Sequence, residues 1–321
     1  MSAPPNGAHR RCALFLAALL LLAVAAPASA GSATRVQAPA VAAASGAAEA
    51  THVARVARYW TPARMRKARP LDGHGTAPAD LFDPPMPVAS ASYATVLDAT
   101  VAPYPVNGRI FFRRAGRANS CSGTVIDTPT RQLVLTAGHC VNSGPVDGTR
   151  FSFWSNFIQF VPAYSEGQAP FGAFVMRRGR AYALSPWVRR ANPSFDVGAF
   201  LVHPNAAAQN VADAVGGGVS IALNVSRRQQ FQTFGYPGRV ETLQQCDSPY
   251  VGSDRNTFRI PGKPTMSIRC RWGPGASGGG WLIGEATAIN GLTSYGIRRD
   301  RVHTFGPYFA KGNVGKLVAG L

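Results

Sequence analysis

Three side chains in the sequence could together perform nucleophilic catalysis, and each lies in a distinctive local setting. His139 follows a short apolar run and is itself followed by a cysteine. Asp196 opens the apolar run 197–202, and Ser277 lies inside the glycine-dense segment 273–280. A serine hydroxyl becomes an effective nucleophile when an imidazole takes its proton, and a carboxylate fixes the tautomer of that imidazole. The sequence therefore predicts an acyl-transfer site with Ser277 as nucleophile, His139 as base and Asp196 as orienting group.

The glycines around Ser277 indicate an oxyanion site. Glycine allows sharp backbone bends that turn N–H groups toward a ligand, so we expect the N–H groups of Gly275 and Ser277 to face the oxyanion. The pattern Gly275-x-Ser277-x-Gly279 also matches the elbow of α/β-hydrolases, which carry their Asp and His after the serine. The chain ends at Leu321, which leaves too few residues for the rest of that sheet, so we reject this alternative.

Each candidate residue also has a structural alternative. A lone histidine is more often an ordinary residue than a catalyst, and His139 gains its catalytic interpretation from the aspartate and serine downstream. Three other aspartates, Asp213, Asp247 and Asp254, lie in polar, turn-like contexts. The glycine segment could be a linker, but the apolar residues directly after it indicate a strand.

The elements that must position these residues are short and regularly spaced. From about Val101, short apolar runs are divided by Gly, Pro, Asn and Asp every ten residues or so. This texture is typical of an all-β barrel or sandwich. Only the tail 313–321 has a helical pattern. The clearest β-type runs are 109–113, 132–136, 197–202, 220–223, 231–234 and 265–269.

The N-terminal residues form an export signal. Arg10 and Arg11 precede the apolar run 12–26, and an A-x-A site ends at Ala30. This pattern predicts a secretory signal peptide over 1–30 and therefore a secreted, extracellular protein. No later apolar segment reaches the roughly 20 residues of a membrane span.

Residues 31–100 are rich in Ala, with Pro and scattered Arg, and we interpret them as a low-complexity propeptide ahead of a catalytic domain at 101–321. One denser patch, 59–68, predicts a short helix with Pro62 in its first turn. A small ordered subdomain is the alternative for 31–100.

Composition and charge limit the class of protein. Hydrophobic residues make up 46% of the chain, and 33 basic residues against 15 acidic ones give a net charge of +18 at pH 7. A disordered or fibrous protein is thereby excluded, while the charge favours acidic partners or surfaces without specifying a fold. The basic segment 176–180 could contact nucleic acid, although a solvated hairpin tip is the simpler interpretation.

Four cysteines remain once the signal peptide, which contains Cys12, is removed. An even number in an exported chain predicts two disulfides, for which the sequence alone allows three pairings. No C-x-x-C spacing occurs and the histidines are scattered, so we expect no metal site. The four are Cys121, Cys140, Cys246 and Cys270.

From about Val106 to its C-terminus, the chain resembles the secreted trypsin-like (chymotrypsin-fold) serine peptidases. The order His, Asp, Ser is the order of that family. Three motifs in the right order are far more specific than any one of them. The resemblance depends on the motifs Thr136–Cys140 (TAGHC), Asp196–Phe200 (DVGAF), Gly275–Gly279 (GASGG) and Ser294–Gly296 (SYG).

Within that family the sequence is similar to the bacterial secreted branch that includes glutamyl endopeptidases. The similarity depends on Gly235–Gly238 (GYPG), on the wide spacing of Cys246 and Cys270, and on the patch Trp60–Ala68, which resembles pro-segments of such bacterial peptidases. The resemblance implies two six-stranded antiparallel β-barrels with a short C-terminal helix and the site in the cleft between them. It also implies the disulfides Cys121–Cys140 and Cys246–Cys270.

The resemblance further implies how a substrate would bind. The segment Ser294-Tyr295-Gly296 resembles a strand that pairs with the substrate backbone and walls the specificity pocket. Thr293 stands where glutamate-cleaving relatives tend to carry a histidine, which puts glutamate specificity in doubt. Arg271 falls where the family often places the base of the primary pocket, although a surface arginine is the simpler interpretation.

One departure from the family concerns activation. Ala276 stands where trypsin-type zymogens carry an aspartate that pairs with a newly cut N-terminus. We therefore expect activation without a buried terminal ion pair, because an ammonium beside this methyl group would be an unpaired buried ion. Other contacts, such as those of the loop closed by Cys246 and Cys270, would then have to shape the oxyanion loop.

The resemblance implies a secreted, monomeric serine endopeptidase zymogen that acts on proteins or peptides without a cofactor or a nucleic-acid partner. The alternative from another class is a catalytically silent relative that serves as an extracellular binding module. A nucleic-acid binder is a weaker option, which predicts binding that falls steeply with salt.

Overall fold

Two largely antiparallel sheets, one of eight strands and one of ten, organise the described chain in this computed structural model. The structure describes residues 1–3, 33–39, 46–75, 91–146, 149–297, 300 and 302–321. The chain divides into two units, Met1–Gly31 and Ser32–Leu321, and both sheets belong to the second unit. The predicted signal peptide lies outside the described residues except for its first three.

Residues before 101 form short helices and strands. Thr61 caps the second helix, because its Oγ1 accepts from the N–H of Arg64 at 3.3 Å, and Pro62 is in the first turn as predicted. The elements are β1 (Arg35–Gln37), α1 (Gly46–Tyr59), α2 (Pro62–Lys67), β2 (Arg69–Pro70), β3 (His74–Gly75) and β4 (Ser92–Thr95).

The first sheet contains the closed six-stranded antiparallel barrel that the resemblance implies. Its strands are β5 (Asn107–Arg114), β6 (Arg117–Ile126), β7 (Leu133–Thr136), β8 (Asn156–Pro162), β9 (Phe174–Leu184) and β10 (Gly198–Val202). Around the barrel the order is β9–β10–β7–β6–β5–β8, and β8 pairs again with β9. Two short helices, α3 (Gly138–Val141) and α4 (Ser185–Arg190), and the 3₁₀ turns Tyr104–Val106 and Pro193–Phe195 lie beside it.

The second sheet curls back on itself through one continuous segment, 288–297. Its strands after residue 101 follow the short helix α5 (Val211–Ala214) and are β11 (Ser220–Ile221), β12 (Gln230–Gly235), β13 (Gln244–Ser253), β14 (Met266–Ile268), β15 (Gly280–Ile283), β16 (Ala288–Leu292), β17 (Tyr295–Ile297) and β18 (Thr304–Gly306). The first half of the continuous segment, β16, pairs with β15, and its second half, β17, pairs with β18. Counted with that segment as one strand, six antiparallel strands form the second barrel.

The C-terminus folds back against the first barrel, where Leu317 is fully buried. It forms a π-helical turn, Lys311–Gly315, followed by the short helix α6 (Lys316–Val318). The expected short C-terminal helix is therefore present. A further 3₁₀ turn, Arg255–Arg259, follows β13. Among the described residues, no helix is both long and apolar enough to cross a membrane.

Residues before 101 are joined to both barrels by strand pairing. In the first sheet, β1 pairs antiparallel with β9 and β2 pairs parallel with β6. In the second, β4 pairs antiparallel with β13 and β3 pairs parallel with β17. Trp60 is buried in the core of the first barrel, and its indole N–H donates to the carbonyl of Phe157 at 2.7 Å.

Candidate active site

Strand register brings His139 and Asp196 to the same edge of the first barrel. Strands β7 and β10 are antiparallel, with Gly198 opposite Thr136, so the end of one lies beside the start of the other. His139 follows the end of β7 by three residues, and Asp196 precedes the start of β10 by two. The disulfide Cys121–Cys140 fixes the residue after His139 to the neighbouring strand β6.

Asp196 accepts three hydrogen bonds at this edge. Its Oδ2 lies 2.7 Å from His139 Nδ1, and its Oδ1 accepts from the His139 backbone N–H, also at 2.7 Å. The hydroxyl of Ser294 donates to Oδ2 at 2.6 Å. Both partners are shielded from water, since Asp196 is 2% and His139 6% exposed. A carboxylate held in this way fixes the orientation of the imidazole, and its contact with Nδ1 favours the tautomer with a free Nε2.

Ser277 lies where the second barrel contacts the first. Its carbonyl accepts from the N–H of Ser122 at 2.8 Å, and the residue is almost fully buried. Glycine is required next to it: Gly278 has a φ of +84°, and a Cβ there would stand 2.0 Å from Thr136 Oγ1. The glycine-rich motif thus permits a close approach of the two barrels just beside the candidate nucleophile.

The second ring nitrogen of His139, Nε2, has no hydrogen-bond partner among the described residues. This buried atom is therefore placed to accept a proton. The ring of Trp187 lies beside it, with centroids 6.1 Å apart. No hydrogen bond joins Ser277 Oγ to Nε2 in the described residues, and such catalytic contacts often tighten only when substrate binds.

The glycine-rich loop that the sequence predicts to hold the oxyanion is fixed by Ser122 and by the chain after β12. Gly275 has a φ of +93°, a conformation that favours glycine. Its carbonyl accepts from the hydroxyl of Ser122 at 2.9 Å, and the oxygen of that hydroxyl accepts from the N–H of Tyr236 at 2.9 Å. Ala276 is fully buried and would contact a Cβ placed at Gly235. These contacts come from outside the Cys246–Cys270 loop that the sequence suggested as the support.

The buried guanidinium of Arg114 contacts the backbone of helix α3, which contains His139. Arg114 donates to the carbonyls of His139 at 2.6 Å and Cys140 at 3.0 Å, and to Ser155 Oγ at 2.7 Å. Burial lowers the pKa of Arg114 to about 10, and the charge of Asp196 opposes that shift. Because these carbonyls belong to helix α3, the cation satisfies acceptors that the short helix leaves unpaired.

A second buried arginine, Arg109, lies between β6 and the chain after β12. Arg109 is 1% exposed, and desolvation lowers its pKa. Its guanidinium lies within 6 Å of three aromatic ring centroids and donates to the carbonyl of Val240 at 3.1 Å and to Ser120 Oγ at 3.3 Å. It therefore holds the chain after Tyr236 against β6.

The expected specificity wall lies along the cleft beside His139. Thr293 is buried and accepts from the indole N–H of Trp281 at 3.1 Å. Tyr295 donates to Asp254 Oδ2 at 2.6 Å, and burial, with the nearby charge of Asp254, raises its pKa. Gly296 has open space where a Cβ would be. Asp254, one of the aspartates considered for catalysis, is thus a buried anchor of this wall.

Arg271 is not brought together with the other candidates. The residue is exposed, and its backbone N–H bonds to the hydroxyl of Tyr93 in β4. A cavity of about 380 Å³ is lined by His139, Asp196, Ser294 and Tyr295, and neither Ser277 nor Arg271 is among its lining residues. Asp72 and Gly73, from the segment between β2 and β3, line the same cavity.

Several supporting residues carry no recognisable signal in the sequence. The resemblance assigns Ser294 to substrate binding, but its link to Asp196 depends on a contact between barrels that spacing does not reveal. Arg114 and Arg109 resemble ordinary surface arginines in a chain with 33 basic residues. Gly73 lies in a segment whose composition indicates only turns.

No family model and no curated protein matches this sequence. Among solved structures, the chain is similar to the protease Anisep from Arthrobacter nicotinovorans, with 28% identity and a TM-score of 0.59 over 68% of this chain and 94% of that one. It is also similar to the thermostable serine protease AL20 from an extremophilic microorganism, with 27% identity and a TM-score of 0.57 over 65% and 93%.

A third similarity concerns the fold alone. A Glu endopeptidase structure, in complex with MPD, matches with 19% identity and a TM-score of 0.51 over 74% of this chain and 95% of that one. All three structures are covered almost completely, so the similarity extends over both barrels and not over one of them.

Proposed function

We propose that this chain, a trypsin-like serine peptidase of chymotrypsin fold, cleaves peptide bonds with Ser277, His139 and Asp196 through an acyl-enzyme intermediate. The observation that carries the proposal is the buried pair of His139 Nδ1 and Asp196 Oδ2, 2.7 Å apart. That pair leaves Nε2 without a hydrogen-bond partner in the described chain, and His139 lines the cavity of about 380 Å³.

Acylation follows from this arrangement. His139 Nε2 takes the proton of the Ser277 hydroxyl while Oγ attacks the carbonyl carbon of the scissile bond. The imidazolium then donates that proton to the leaving nitrogen as the C–N bond breaks. An ester with Ser277 remains, and the amine product departs. Asp196 stays ionised and stabilises the imidazolium.

The developing oxyanion would be stabilised by the backbone N–H groups of Gly275 and Ser277. Support comes from the positive φ of Gly275 and from the bond between its carbonyl and the Ser122 hydroxyl, which fixes the backbone between the two proposed donors. Donors fixed in advance need no reorganisation during the reaction. The buried surroundings of the site strengthen each of these interactions.

Deacylation uses the same residues with water as the nucleophile. His139 Nε2 removes a proton from water as its oxygen attacks the ester carbon, and then returns the proton to Ser277 Oγ. The acid product leaves, and the hydroxyl is restored. No cofactor is needed in either half of the reaction.

We further propose that the protein is exported and processed. The disulfides Cys121–Cys140 and Cys246–Cys270 favour an oxidising compartment, and the signal peptide proposed for 1–30 would direct the chain there. Residues 31–100 would then be removed as a propeptide. Appearance in the culture medium of a chain lacking residues 1–30 tests the export.

A fluorophosphonate probe tests the catalytic assignment. In the processed enzyme we expect a single adduct on Ser277, mapped by mass spectrometry of its proteolytic peptides, because only a serine activated by a neighbouring base reacts quickly. His139→Ala should slow labelling strongly, whereas Ser248→Ala, which removes a buried hydroxyl far from the cleft, should not. Equal labelling of wild type and His139→Ala would contradict the assignment. A catalytically silent binding module would not be labelled.

A further inference from the structure

The segment 69–75 passes through the candidate active site between the two barrels. The N–H of Leu71 donates to the carbonyl of Ser120 at 2.9 Å, and the carbonyl of Leu71 accepts from the N–H of Gly275 at 2.7 Å. Further along, the carbonyl of Gly73 accepts from the N–H of Gly296 at 3.1 Å. These three backbone hydrogen bonds join the segment to both barrels, and one of them uses the proposed oxyanion donor.

Gly73 lies directly over the candidate catalytic histidine. A Cβ at this position would stand 3.1 Å from His139 Cε1 and 2.0 Å from the carbonyl oxygen of Ser294. Only a residue without a side chain can approach so closely. The segment thus covers the imidazole as well as the oxyanion donor.

The segment runs in the direction opposite to a productive substrate. A substrate's scissile carbonyl belongs to the residue in the specificity pocket, so its chain must run from the 294–296 wall toward the leaving-group side. Residues 69–75 run the other way, since Arg69 and Pro70 pair with β6 and His74 and Gly75 pair with β17. Both pairings are parallel.

Reverse binding explains how a peptide can fill the site without being cut. The carbonyl of Leu71 meets one oxyanion donor, but the nitrogen bonded to that carbonyl belongs to Asp72 and continues toward the 294–296 wall. If Ser277 attacked the carbonyl of Leu71, the leaving nitrogen would therefore lie toward the 294–296 wall. In a productive substrate, the leaving nitrogen lies on the opposite side of the scissile carbonyl. Proton transfer to the Asp72 nitrogen would be misaligned.

We infer that residues 69–75 are a built-in inhibitor that keeps the uncleaved chain inactive by occupying the catalytic cleft in reverse. The inference rests on the proposed function, because it assigns a regulator to that same site. It also gives the propeptide a role: activity requires that this segment leave the cleft, by cleavage or by displacement. A new N-terminus is not needed to form the oxyanion loop.

Gly73→Ala in the full chain tests the inference. The added methyl group collides with the Ser294 carbonyl, so the segment should leave the cleft. The rate of fluorophosphonate labelling of Ser277 in the uncleaved protein should rise about tenfold or more, as expected when several backbone hydrogen bonds are lost. Gly46→Ala is the matched control, because a Cβ at Gly46 meets nothing within 4 Å.

Hydrogen exchange provides a readout that is independent of catalysis. In the Ser277→Ala background, which prevents self-cleavage, the amides of Gly275 and Gly296 should be protected, and Gly73→Ala should release both. If Gly73→Ala destabilises the fold, Leu71→Pro gives a second variant that removes the N–H donor to Ser120 together with the Leu71 side chain. A synthetic peptide of residues 67–75 should restore slow labelling to the Gly73→Ala chain without being cleaved.

The outcomes separate the two proposals. Unchanged exchange at Gly275 and Gly296 in both variants, or labelling of the wild-type chain as fast as that of Gly73→Ala, would overturn the inhibitory role. Released exchange together with no labelling in any variant would support the occupied cleft and contradict the catalytic assignment. Cleavage of the synthetic peptide between Leu71 and Asp72 would refute the reversed binding.

Discussion

Replacing Ser294 with alanine should lower turnover without weakening substrate binding. The Ser294 hydroxyl donates to Asp196 Oδ2 at 2.6 Å in a buried environment. Its loss removes one of three hydrogen bonds to the carboxylate, and the two from His139 remain. Asp196 would then hold the imidazole less firmly in the orientation that the reaction needs.

The size of the effect follows from the charge of the acceptor. A hydrogen bond to a charged group is worth about 1.5–3 kcal/mol, and each 1.4 kcal/mol or so in the barrier is tenfold in rate. If the bond acts in the transition state, kcat should fall roughly tenfold to a hundredfold. KM should change little, because the hydroxyl is directed at Asp196 and not at the cleft.

The assay is hydrolysis of a fluorescently labelled denatured protein by activated enzyme, with active sites counted by fluorophosphonate titration. Ser248→Ala is the matched control: Ser248 is a buried serine whose hydroxyl donates to Pro249 and accepts from Arg269, away from the site. It should lose stability but keep its kcat. A kcat for Ser294→Ala within twofold of wild type would show that the bond does not position Asp196.

Three further predictions concern the surroundings of the triad. The double substitution Cys121→Ala/Cys140→Ala opens a loop with a sequence separation of 19 and should lower the free energy of unfolding by about 3 kcal/mol in denaturant titration; an unchanged midpoint would contradict this. Arg114→Met should reduce kcat more than it changes KM, because the carbonyl of His139 in α3 loses its guanidinium donor, and a change in KM alone would refute the positioning role. Acetylating the N-terminus of the processed enzyme should leave kcat within a few-fold of wild type, because Ala276 offers no carboxylate, whereas a hundredfold loss, about 2.7 kcal/mol, would reveal a terminal ion pair.

The sequence is sufficient to predict the parts of the site that local geometry dictates. His139 follows a strand with a clear apolar pattern and Asp196 precedes another, so their positions at strand ends can be inferred. Sharp backbone bends at Gly275 and Gly278 can be inferred as well, because glycine-rich segments permit them. The structure has φ angles of +93° and +84° at these positions, which favour glycine. The first barrel, with its alternation of short apolar runs and turns, is predictable for the same reason.

The contacts between distant segments are not predictable in this way. The strands β2 and β3 have two residues each, too few to show any periodicity, and their partners lie far along the chain. A segment rich in Ala, Pro and Arg therefore resembles a linker, although its strands extend both barrels. Its path through the cleft depends on Gly73, whose need for close approach is visible only once Ser294 and His139 are in place.

Buried arginines illustrate a second limit of the sequence. Arginine is mostly exposed in proteins unless it is paired, so the sequence around Arg109 and Arg114 indicates surface residues. Aromatic rings surround the first and backbone carbonyls accept from the second. Neither environment is encoded near these residues in the sequence, because it is assembled from several strands and loops.

The central claim is that Ser277 is the nucleophile of a peptidase, and the most direct measurement compares hydrolysis by wild type and by Ser277→Ala. Both proteins should show the same circular dichroism spectrum and melting temperature. Turnover of a labelled protein substrate, measured after activation, should fall on the order of 10⁶-fold in the variant, as in related triads. Hydrolysis by folded Ser277→Ala at a rate near that of wild type would contradict the account.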